Sequence, residues 1–390
     1  MSPPAQHKLC MIPGPIECHE DVLTAMATPA TSHIDPSFIQ VFSETLKGLR
    51  QVVGTTSGQP FVVSGSGTLS WDLAVCNLVE TGNRALVLST GLFGDRMVDC
   101  LETYGAQVDV LRPADLGGVP DQAQVRAMLE KAGQSGTPYK LVTITHVDTS
   151  TGVLVDVQAV SKLVKEVSPT TLVLVDGVCS VAAEPLYMDD WKIDVVMTAS
   201  QKALGCPPGL AIIVVSPTAL NVWKTRKTKV ASYYASWAKW FPVMQAYEAC
   251  KPLYFATPAV QLVMALRVGV QQLLAKGMEH VYETHRTASD EFKKMLHDWG
   301  LRTLPTSSEV AAHSMTAVYY PPNVKATNLL SSLSHHGVLV AGGVHPSLAG
   351  SYFRVGHMGL SVLEPERGYL RKTETALQRA LTESGYNTSA

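Results

Sequence analysis

The feature of this sequence that most constrains its fold is a series of short, continuously apolar segments that begins near residue 60, with amphipathic segments between them. Strands that are apolar along their whole length belong to sheets covered on both faces, and crossover helices supply that cover. The apolar segments are PFVVSGSG, RALVLS, QVDVLRP, YKLVTITH, TLVLVDG, DVVMTAS and GLAIIVVS. The sequence therefore predicts an α/β fold with a mostly parallel, doubly wound sheet.

The pattern changes beyond residue 258. Two long helical patterns, over 258–277 and 278–299, precede a closing helix over about 364–384. Shorter strand-like segments lie between them: LRTLP, SMTAVYYP, GVLVAGG and YFRVG. We predict an N-terminal extension over 1–20, a large domain over 21–257, and a linking helix with a smaller C-terminal α+β domain over 258–390.

Composition limits the classes of function. Of the 390 residues only 16% are charged and the net charge is −2, whereas a typical globular chain is about 25% charged. The balance of charge disfavours nucleic acid or an anionic membrane as partner. No apolar run is long enough for a membrane span. The shortage of charge favours an obligate oligomer with a buried subunit interface.

The seven cysteines are widely spaced and form no C-x-x-C. This pattern disfavours a disulfide framework and a cysteine-rich zinc site, and the scattered histidines give no metal motif, so we expect no metal. The first residues lack the apolar run of a signal peptide, and residues 387–390 do not form the S-K-L peroxisomal address. We expect a cytoplasmic protein and leave a mitochondrial or peroxisomal pool open.

The turn SGSGT, which contains Ser66, Gly67 and Thr68, follows the first apolar strand. Small residues let backbone N–H groups approach an anion, and the following helix adds its positive end. The alternative is a tight turn that needs glycine only for its backbone angles. A dinucleotide site fits less well, because Ser70 replaces the third glycine of G-x-G-x-x-G and the second strand ends without an acid.

Two charged residues end neighbouring apolar segments. Asp176 closes TLVLVD, and Lys202 follows DVVMTAS, so both are expected at the edge where open α/β sheets bind ligands. Alone, the first would be an ordinary capping aspartate and the second a solvated lysine. A partly desolvated lysine amine, however, attacks carbonyl groups. With the SGSGT turn these residues outline a pyridoxal phosphate site, in which the lysine forms a Schiff base and the aspartate pairs with the ring nitrogen.

Two further residues stand out. Phe93, in TGLFGDR, lies at the start of a predicted helix at the same edge. It could contact a ligand there, or it could simply pack in the core. Arg354 lies inside the apolar segment YFRVG. A guanidinium is costly there unless it meets a carboxylate.

Taken together, these residues resemble class V aminotransferases of fold type I, in particular the alanine–glyoxylate and serine–pyruvate aminotransferases. The resemblance extends from Pro13-Gly14-Pro15 to the closing helix. The motifs that carry it are SGSGT, TGLFGDR, THVDTSTGVL, LVLVDGVCS, SQKALGCPPG, LYFATPAVQ and FRVGHMG.

The resemblance implies a pyridoxal 5'-phosphate enzyme that works as a homodimer with shared active sites. Lys202 would form the imine and move the proton, Asp176 would hold the ring nitrogen protonated, and Arg354 would bind the substrate carboxylate. The other implied contacts are Ser66, Gly67, Thr68 and Gln201 with the phosphate; Phe93 and Val178 with the ring; Thr149 with the O3′ side; Gly14 with the substrate pocket; and Tyr254 and Thr257 with the phosphate of the other subunit. Asp148 stands where many relatives have Glu, and we assign it no role.

The implied reaction is a ping-pong transamination of L-alanine with glyoxylate, which gives pyruvate and glycine. Serine–glyoxylate and serine–pyruvate transamination stay open, because a pocket discriminates poorly against an added hydroxyl. Phosphonate transamination by the same fold is a further alternative. A cysteine desulfurase is disfavoured, since Cys206 lies in a turn made rigid by two prolines. A catalytically silent binding protein of the same fold is disfavoured by the retention of Lys202, Asp176 and Arg354.

Overall fold

A computed structural model describes residues 7–388; the first six residues of the predicted N-terminal extension and the last two of the 387–390 tetrapeptide lie outside the described residues. The strands are β1 (Leu9–Cys10), β2 (Gln59–Ser64), β3 (Arg84–Leu88), β4 (Gln107–Leu111), β5 (Leu141–Thr145), β6 (Val147–Asp148), β7 (Val153–Leu154), β8 (Leu172–Asp176), β9 (Val195–Ala199), β10 (Leu210–Val215), β11 (Met315–Tyr319), β12 (Val338–Leu339), β13 (Ala341–Gly342) and β14 (Tyr352–Gly356).

The helices alternate with the strands of the first half of the chain and dominate the second half. They are α1 (Glu20–Met26), α2 (Pro36–Val52), α3 (Gly67–Leu78), α4 (Leu92–Thr103), α5 (Gln122–Gln134), α6 (Val157–Val167), α7 (Pro217–Lys224), α8 (Trp237–Glu248), α9 (Val260–Lys276), α10 (Met278–Asp298), α11 (Ala326–His335), α12 (Leu360–Leu363) and α13 (Tyr369–Glu383). Short 3₁₀ turns occupy Ser308–Val310, Pro346–Leu348 and Pro365–Arg367.

The central sheet has seven strands in the order β2-β10-β9-β8-β5-β3-β4. All of them run in one direction except β10, which is antiparallel to both of its neighbours. Every residue of β5, β8, β9 and β10 is buried, as continuous apolar segments require. The prediction of an α/β fold with a mostly parallel sheet is confirmed.

The direction of the strands determines where the site lies. The carboxyl ends of β2, β3, β5, β8 and β9 meet at one edge of the sheet, which we call the rim. At this rim Thr145 pairs with Asp176, and Asp176 pairs with Met197. The turns after these strands therefore converge on one cleft, as in other open α/β sheets.

The apolar core forms two clusters. The larger one contains the sheet and its covering helices, including α2 and α9. The smaller one surrounds the three-stranded sheet β11-β14-β13 and includes Leu9 and Met11 from the start of the described chain. The segment with β1 thus packs with C-terminal elements through its pairing with β12. The domain boundaries given above stay predictions.

Some local expectations were wrong. The segment LRTLP forms no strand, and Thr303 makes only an isolated bridge to Val318; Pro305 cannot donate to a ladder. GVLVAGG is divided into β12 and β13, which pair with different strands. The expected cap of α5 is confirmed, because the Asp121 carboxylate accepts a hydrogen bond from the Ala123 amide at 2.9 Å.

Candidate active site

Lys202 lies in the turn after β9, at the rim. Its side chain is buried, with the residue 7% exposed, and its Nζ donates a hydrogen bond to the carbonyl oxygen of Pro13. No carboxylate of the described chain forms an ion pair with it. Burial lowers the pKa of Lys202 below its usual value. The site therefore contains a sheltered amine that loses its proton more readily than a lysine in water.

Gly14 adjoins this amine. Its φ of +97° is one that other residues rarely adopt, and a Cβ placed there would lie 2.5 Å from Cδ of Lys202. Both the backbone angle and the space therefore require glycine at this position. The segment around Gly14 forms one wall beside the lysine.

Asp176 ends β8 and is buried. Its Oδ1 accepts the Val178 amide at 3.0 Å, and its Oδ2 accepts the indole N–H of Trp71 at 3.1 Å. Burial raises the pKa of Asp176 to about 6, and the negative charge of Asp148 adds to the effect. A buried carboxylate with two N–H donors and no cation bonded to it favours a positively charged partner.

The turn after β2 brings the start of α3 to the same rim. Ser66 is the N-cap but makes no side-chain hydrogen bond to the helix, so the first amide groups of α3 keep their donors for another acceptor. A Cβ on Gly67 would lie 3.1 Å from the Cβ of Ala199 and 3.4 Å from Val178. The side chains of Ser66 and Thr68 are exposed. This geometry suits an anion.

Arg354 lies on β14 and is only 8% exposed. Its guanidinium donates to the carbonyl oxygens of Gly342, at 2.9 and 3.0 Å, and of Thr149, at 2.9 Å. None of its hydrogen-bond partners in the described chain is a carboxylate. Burial lowers the pKa of Arg354, which reflects the cost of an uncompensated buried charge. These contacts link the small sheet to the segment after β5 at the rim.

Three other predicted residues lie at the rim or near it. Gln201 adjoins Lys202, and its buried Oε1 has no hydrogen-bond partner in the described chain. Phe93 is half-buried at the start of α4, with its ring centroid 6.5 Å from that of Trp71. Val178 is half-buried beside Gly67. The orphaned amide oxygen of Gln201 is the kind of group that a bound ligand satisfies.

Tyr254 and Thr257 lie on the surface. Tyr254 is 58% exposed, its hydroxyl is 3.4 Å from that of Thr257, and its ring lies 4.9 Å from His33. No hydrogen bond or ring contact within residues 7–388 joins this pair to the other predicted site residues. Within one chain, the structure does not bring them into the cleft.

The class-V aminotransferase family model matches residues 17–360. The chain belongs to this family. It is 40% identical over 386 residues to alanine–glyoxylate aminotransferase 1 of Saccharomyces cerevisiae, with 95% of this chain and 97% of that protein covered. It is 30% identical to serine–glyoxylate aminotransferase of Arabidopsis thaliana, with coverage of 91% and 86%.

Among solved structures, the chain is similar to alanine–glyoxylate aminotransferase from Nostoc sp., with a TM-score of 0.88 and 29% identity over 98% of this chain and 97% of that one. The resemblance stated from the sequence is thus confirmed: the protein is a class-V aminotransferase with the fold type I architecture. Membership of this family implies pyridoxal phosphate as the cofactor.

Reasoning from the sequence missed two residues of this class-V aminotransferase site. Trp71 looked like an ordinary core residue of a helix, although it lies one turn after Gly67 on the side of α3 that faces the rim. Asp148 was left without a role. It is fully buried, and its Oδ2 accepts the amides of Phe93 and Gly94 at 3.0 and 3.2 Å, so it fixes the start of α4. Its place in the short segment that follows β5 was the available signal.

Other polar groups near the rim are less suited to chemistry. His146 is buried after β5, and burial lowers its pKa to about 4, so its ring is neutral at physiological pH. A cavity of about 900 Å³ lies elsewhere, between α10 and residues 300–308. In the part of the chain that the structure describes, no cluster of three or more His, Cys, Asp or Glu side chains could hold a metal ion. No helix of that part is long and apolar enough to cross a membrane.

Proposed function

We propose that this class-V aminotransferase moves the amino group of L-alanine to glyoxylate, with pyruvate and glycine as products. The observation that carries the proposal is the arrangement around Lys202, a sheltered amine that shares the rim with an unpaired buried carboxylate and an unpaired buried guanidinium. The similarity to the alanine–glyoxylate aminotransferases of Saccharomyces cerevisiae and Nostoc sp. supports this choice of substrates.

The residues present fit pyridoxal 5'-phosphate. The amide donors at the start of α3, with the Ser66 and Thr68 hydroxyls and Gln201, would hold the phosphate. Asp176, a buried carboxylate whose side-chain oxygens are bonded only to the N–H groups of Val178 and Trp71, would pair with the ring nitrogen. Phe93 and Val178 would pack against the ring, and Thr149 would lie on its O3′ side. The Gln201 oxygen would gain the partner that it lacks.

When bound, pyridoxal phosphate supplies an electron sink for the charge left on the amino acid after proton removal. The chain supplies the other parts. Nζ of Lys202 would move a proton between the α-carbon of the amino acid and the cofactor within each half-reaction, in opposite directions in the two, and its depressed pKa makes the neutral amine available to accept that proton. Arg354 binds the α-carboxylate that donor and acceptor share. Gly14 leaves room for a small substrate side chain.

Serine is the second candidate donor, and the similarity to a plant serine–glyoxylate aminotransferase favours it. Alanine and serine differ by one hydroxyl, which an apolar pocket rejects weakly. We rank alanine first because the yeast relative is the more similar of the two at 40% identity.

We further propose that the protein is a homodimer, in which Tyr254 and Thr257 of each chain complete the phosphate site of the other. Their exposure in the single chain supports this assignment. We also propose the cytoplasm as the compartment, which the seven free cysteines support, because thiols stay reduced there.

The test is to supply the purified protein and pyridoxal phosphate with glyoxylate and either alanine or serine, and to follow pyruvate and glycine. Alanine should support turnover, and Lys202→Ala should abolish it. After borohydride reduction the mass of the cofactor should be found on the peptide that contains Lys202. It should be absent from the peptide of Lys293, the matched control, which is also buried. A cofactor label on Lys293, or no pyruvate from alanine, would refute the proposal.

A further inference from the structure

The hydrogen bond between Trp71 and Asp176 links two elements that are distant in sequence. Trp71 lies on α3, is 5% exposed, and places its indole N–H 3.1 Å from Oδ2 of Asp176 at the end of β8. The same ring meets Phe93 nearly edge-on, with an interplanar angle of 72°. Packing on α3 and against Phe93 therefore fixes the direction in which the indole N–H points.

Packing alone does not require such a bond. Trp237 is more deeply buried than Trp71, yet its indole N–H has no partner in the described chain. The fold thus tolerates the buried indole of Trp237 without a hydrogen-bond acceptor. The indole N–H of Trp71, in contrast, is directed at a carboxylate. The charged groups that act on Asp176 are Asp148 from β6 and Lys202 from the turn after β9. Trp71 is the only side-chain donor bonded to Asp176 among residues 7–388.

We propose that Trp71 is a positioning residue, whose indole N–H orients the Asp176 carboxylate toward a cationic partner in the cleft. With Oδ2 held by Trp71 and Oδ1 by the Val178 amide, both oxygens are tethered, and rotation of the carboxylate is restricted. An N–H donor also stabilises the ionised form of a carboxylate. A proton shared between Asp176 and a ring nitrogen would then lie closer to the nitrogen. The ring that is protonated at this nitrogen is the form that withdraws electrons.

The last step rests on the proposed function, because it needs the pyridine ring, but the hydrogen bond itself can be tested without any cofactor. The full-length protein, freed of cofactor by hydroxylamine treatment and dialysis, has six tryptophans and so gives few indole ¹H–¹⁵N signals. The signal lost in Trp71→Phe should titrate with a midpoint near pH 6, the pKa of Asp176, and should stop titrating in Asp176→Asn. Trp71→Tyr assigns the signal equally well if the phenylalanine variant does not fold. A Trp71 signal that ignores pH, or that titrates unchanged in Asp176→Asn, overturns the proposal.

The second measurement is equilibrium binding of pyridoxal phosphate and of its 1-deaza analogue, which lacks the ring nitrogen. Trp71→Phe should weaken the binding of pyridoxal phosphate about tenfold, since a hydrogen bond to a charged group is lost, and should leave the analogue almost unaffected. Trp237→Phe removes a buried indole that has no acceptor, and it should not discriminate between the two ligands. Equal weakening of both ligands in Trp71→Phe would mean a purely structural role and would contradict the proposal. Failure of the wild type to bind pyridoxal phosphate would instead contradict the proposed function, and the NMR titration would still decide the role of Trp71.

Discussion

At the scale of residues, the site is marked by buried charges that lack partners. Away from the rim, Lys165 and Asp194, both largely buried, approach to 2.6 Å, whereas the buried Lys293 bonds to the backbone carbonyl groups of Ala311 and Ala312. At the rim, Lys202 and Arg354 bond only to backbone carbonyl groups and Asp176 only to N–H donors. Unpaired buried charges destabilise a protein, so their concentration at one place indicates that a ligand compensates for them.

The free-energy cost of burying the ionised Asp176 carboxylate predicts that the stability of the protein depends on pH. The folded pKa of about 6 lies above the unfolded value of about 3.9, so the folded carboxyl binds a proton more tightly. Stability should therefore fall as the pH rises from about 4 to about 6, by on the order of 3 kcal/mol, and then level off. The melting temperature of the cofactor-free wild type should fall relative to that of Asp176→Asn across this range. Parallel melting curves for the two proteins at all pH values would contradict the prediction.

The unpaired guanidinium predicts a shared defect in both half-reactions. Arg354→Lys keeps the charge but loses the two-pronged geometry that matches a carboxylate. Alanine and glyoxylate should both bind more weakly, by about 2–5 kcal/mol if the pair is buried. Single-turnover kinetics of each half-reaction measure this. Arg112→Gln is the control, because Arg112 is exposed and pairs with Asp95 at the surface. A defect confined to one substrate would show that Arg354 binds something else.

The sequence revealed Lys202, Asp176 and Arg354 because each is a charged residue beside or within an apolar strand. A charged side chain at such a position is costly to bury unless a partner or a ligand compensates for it. It did not reveal the carbonyl group of Pro13 or the indole of Trp71. Their contacts join residues far apart in the chain, and only the packing of α3 and of the N-terminal segment on the rim brings them together.

At the scale of elements, the start of α4 is held from outside the helix. Its N-cap is Gly91, which has no side chain to cap it, and the Asp148 carboxylate takes its place. Ser150 supports this arrangement: it donates from its amide and hydroxyl to Oδ1 of Asp148, and its Oγ accepts the Leu92 amide. Asp148 thereby fixes Phe93, which α4 presents to the cleft.

This arrangement predicts a local effect of Asp148→Asn. The substitution keeps the shape of the side chain but removes the negative charge, so amide exchange at Phe93 and Gly94 should accelerate about tenfold or more. Hydrogen–deuterium exchange followed by mass spectrometry measures it. The control is Asp121→Asn at the cap of α5, where Asn serves nearly as well as Asp. Equal acceleration at both helices, or none at α4, would refute the anchoring role.

The elements that could be predicted are those whose own residues show a hydrophobic pattern over several consecutive positions. The buried strands and α9 and α10 agree with the sequence pattern to within a few residues. The two-residue strands β12 and β13 could not be resolved in GVLVAGG, because they are defined by their partners, β1 and β14, and not by their own residues. The reversed direction of β10 was likewise invisible, since apolar strands of either direction look alike.

At the scale of the whole molecule, the N-terminal segment connects the small apolar cluster to the rim. Met11 packs in that cluster and its carbonyl oxygen accepts the Gly356 amide at 2.7 Å. Two residues further on, Pro13 accepts the hydrogen bond from Lys202. A Cβ on Gly356 would lie 2.2 Å from the carbonyl oxygen of Ile12, so the close approach of the two segments depends on that glycine. The lysine is therefore coupled to elements from both ends of the chain.

The proposed dimer adds a second chain to this arrangement, and mixed dimers test it. One subunit carries Lys202→Ala and the other carries Tyr254→Ala with Thr257→Ala. If each site combines the lysine of one chain with the Tyr254–Thr257 pair of its partner, the mixed dimer has one intact site. It should then recover about half of the wild-type activity, although each parent dimer is impaired at both sites.

The matched control places all three substitutions in one chain and mixes it with wild type. Under the shared-site arrangement this mixed dimer has no intact site, because the wild-type lysine faces a mutated pair and the wild-type pair faces a mutated lysine. If Tyr254 and Thr257 served their own chain, the two results would be exchanged: the first mixture would be impaired and the second half-active. The exposure of Tyr254 at 58% in the single chain favours the shared site, so we expect activity in the first mixture, measured as pyruvate formed from alanine after the mixed dimers are isolated by two different affinity tags.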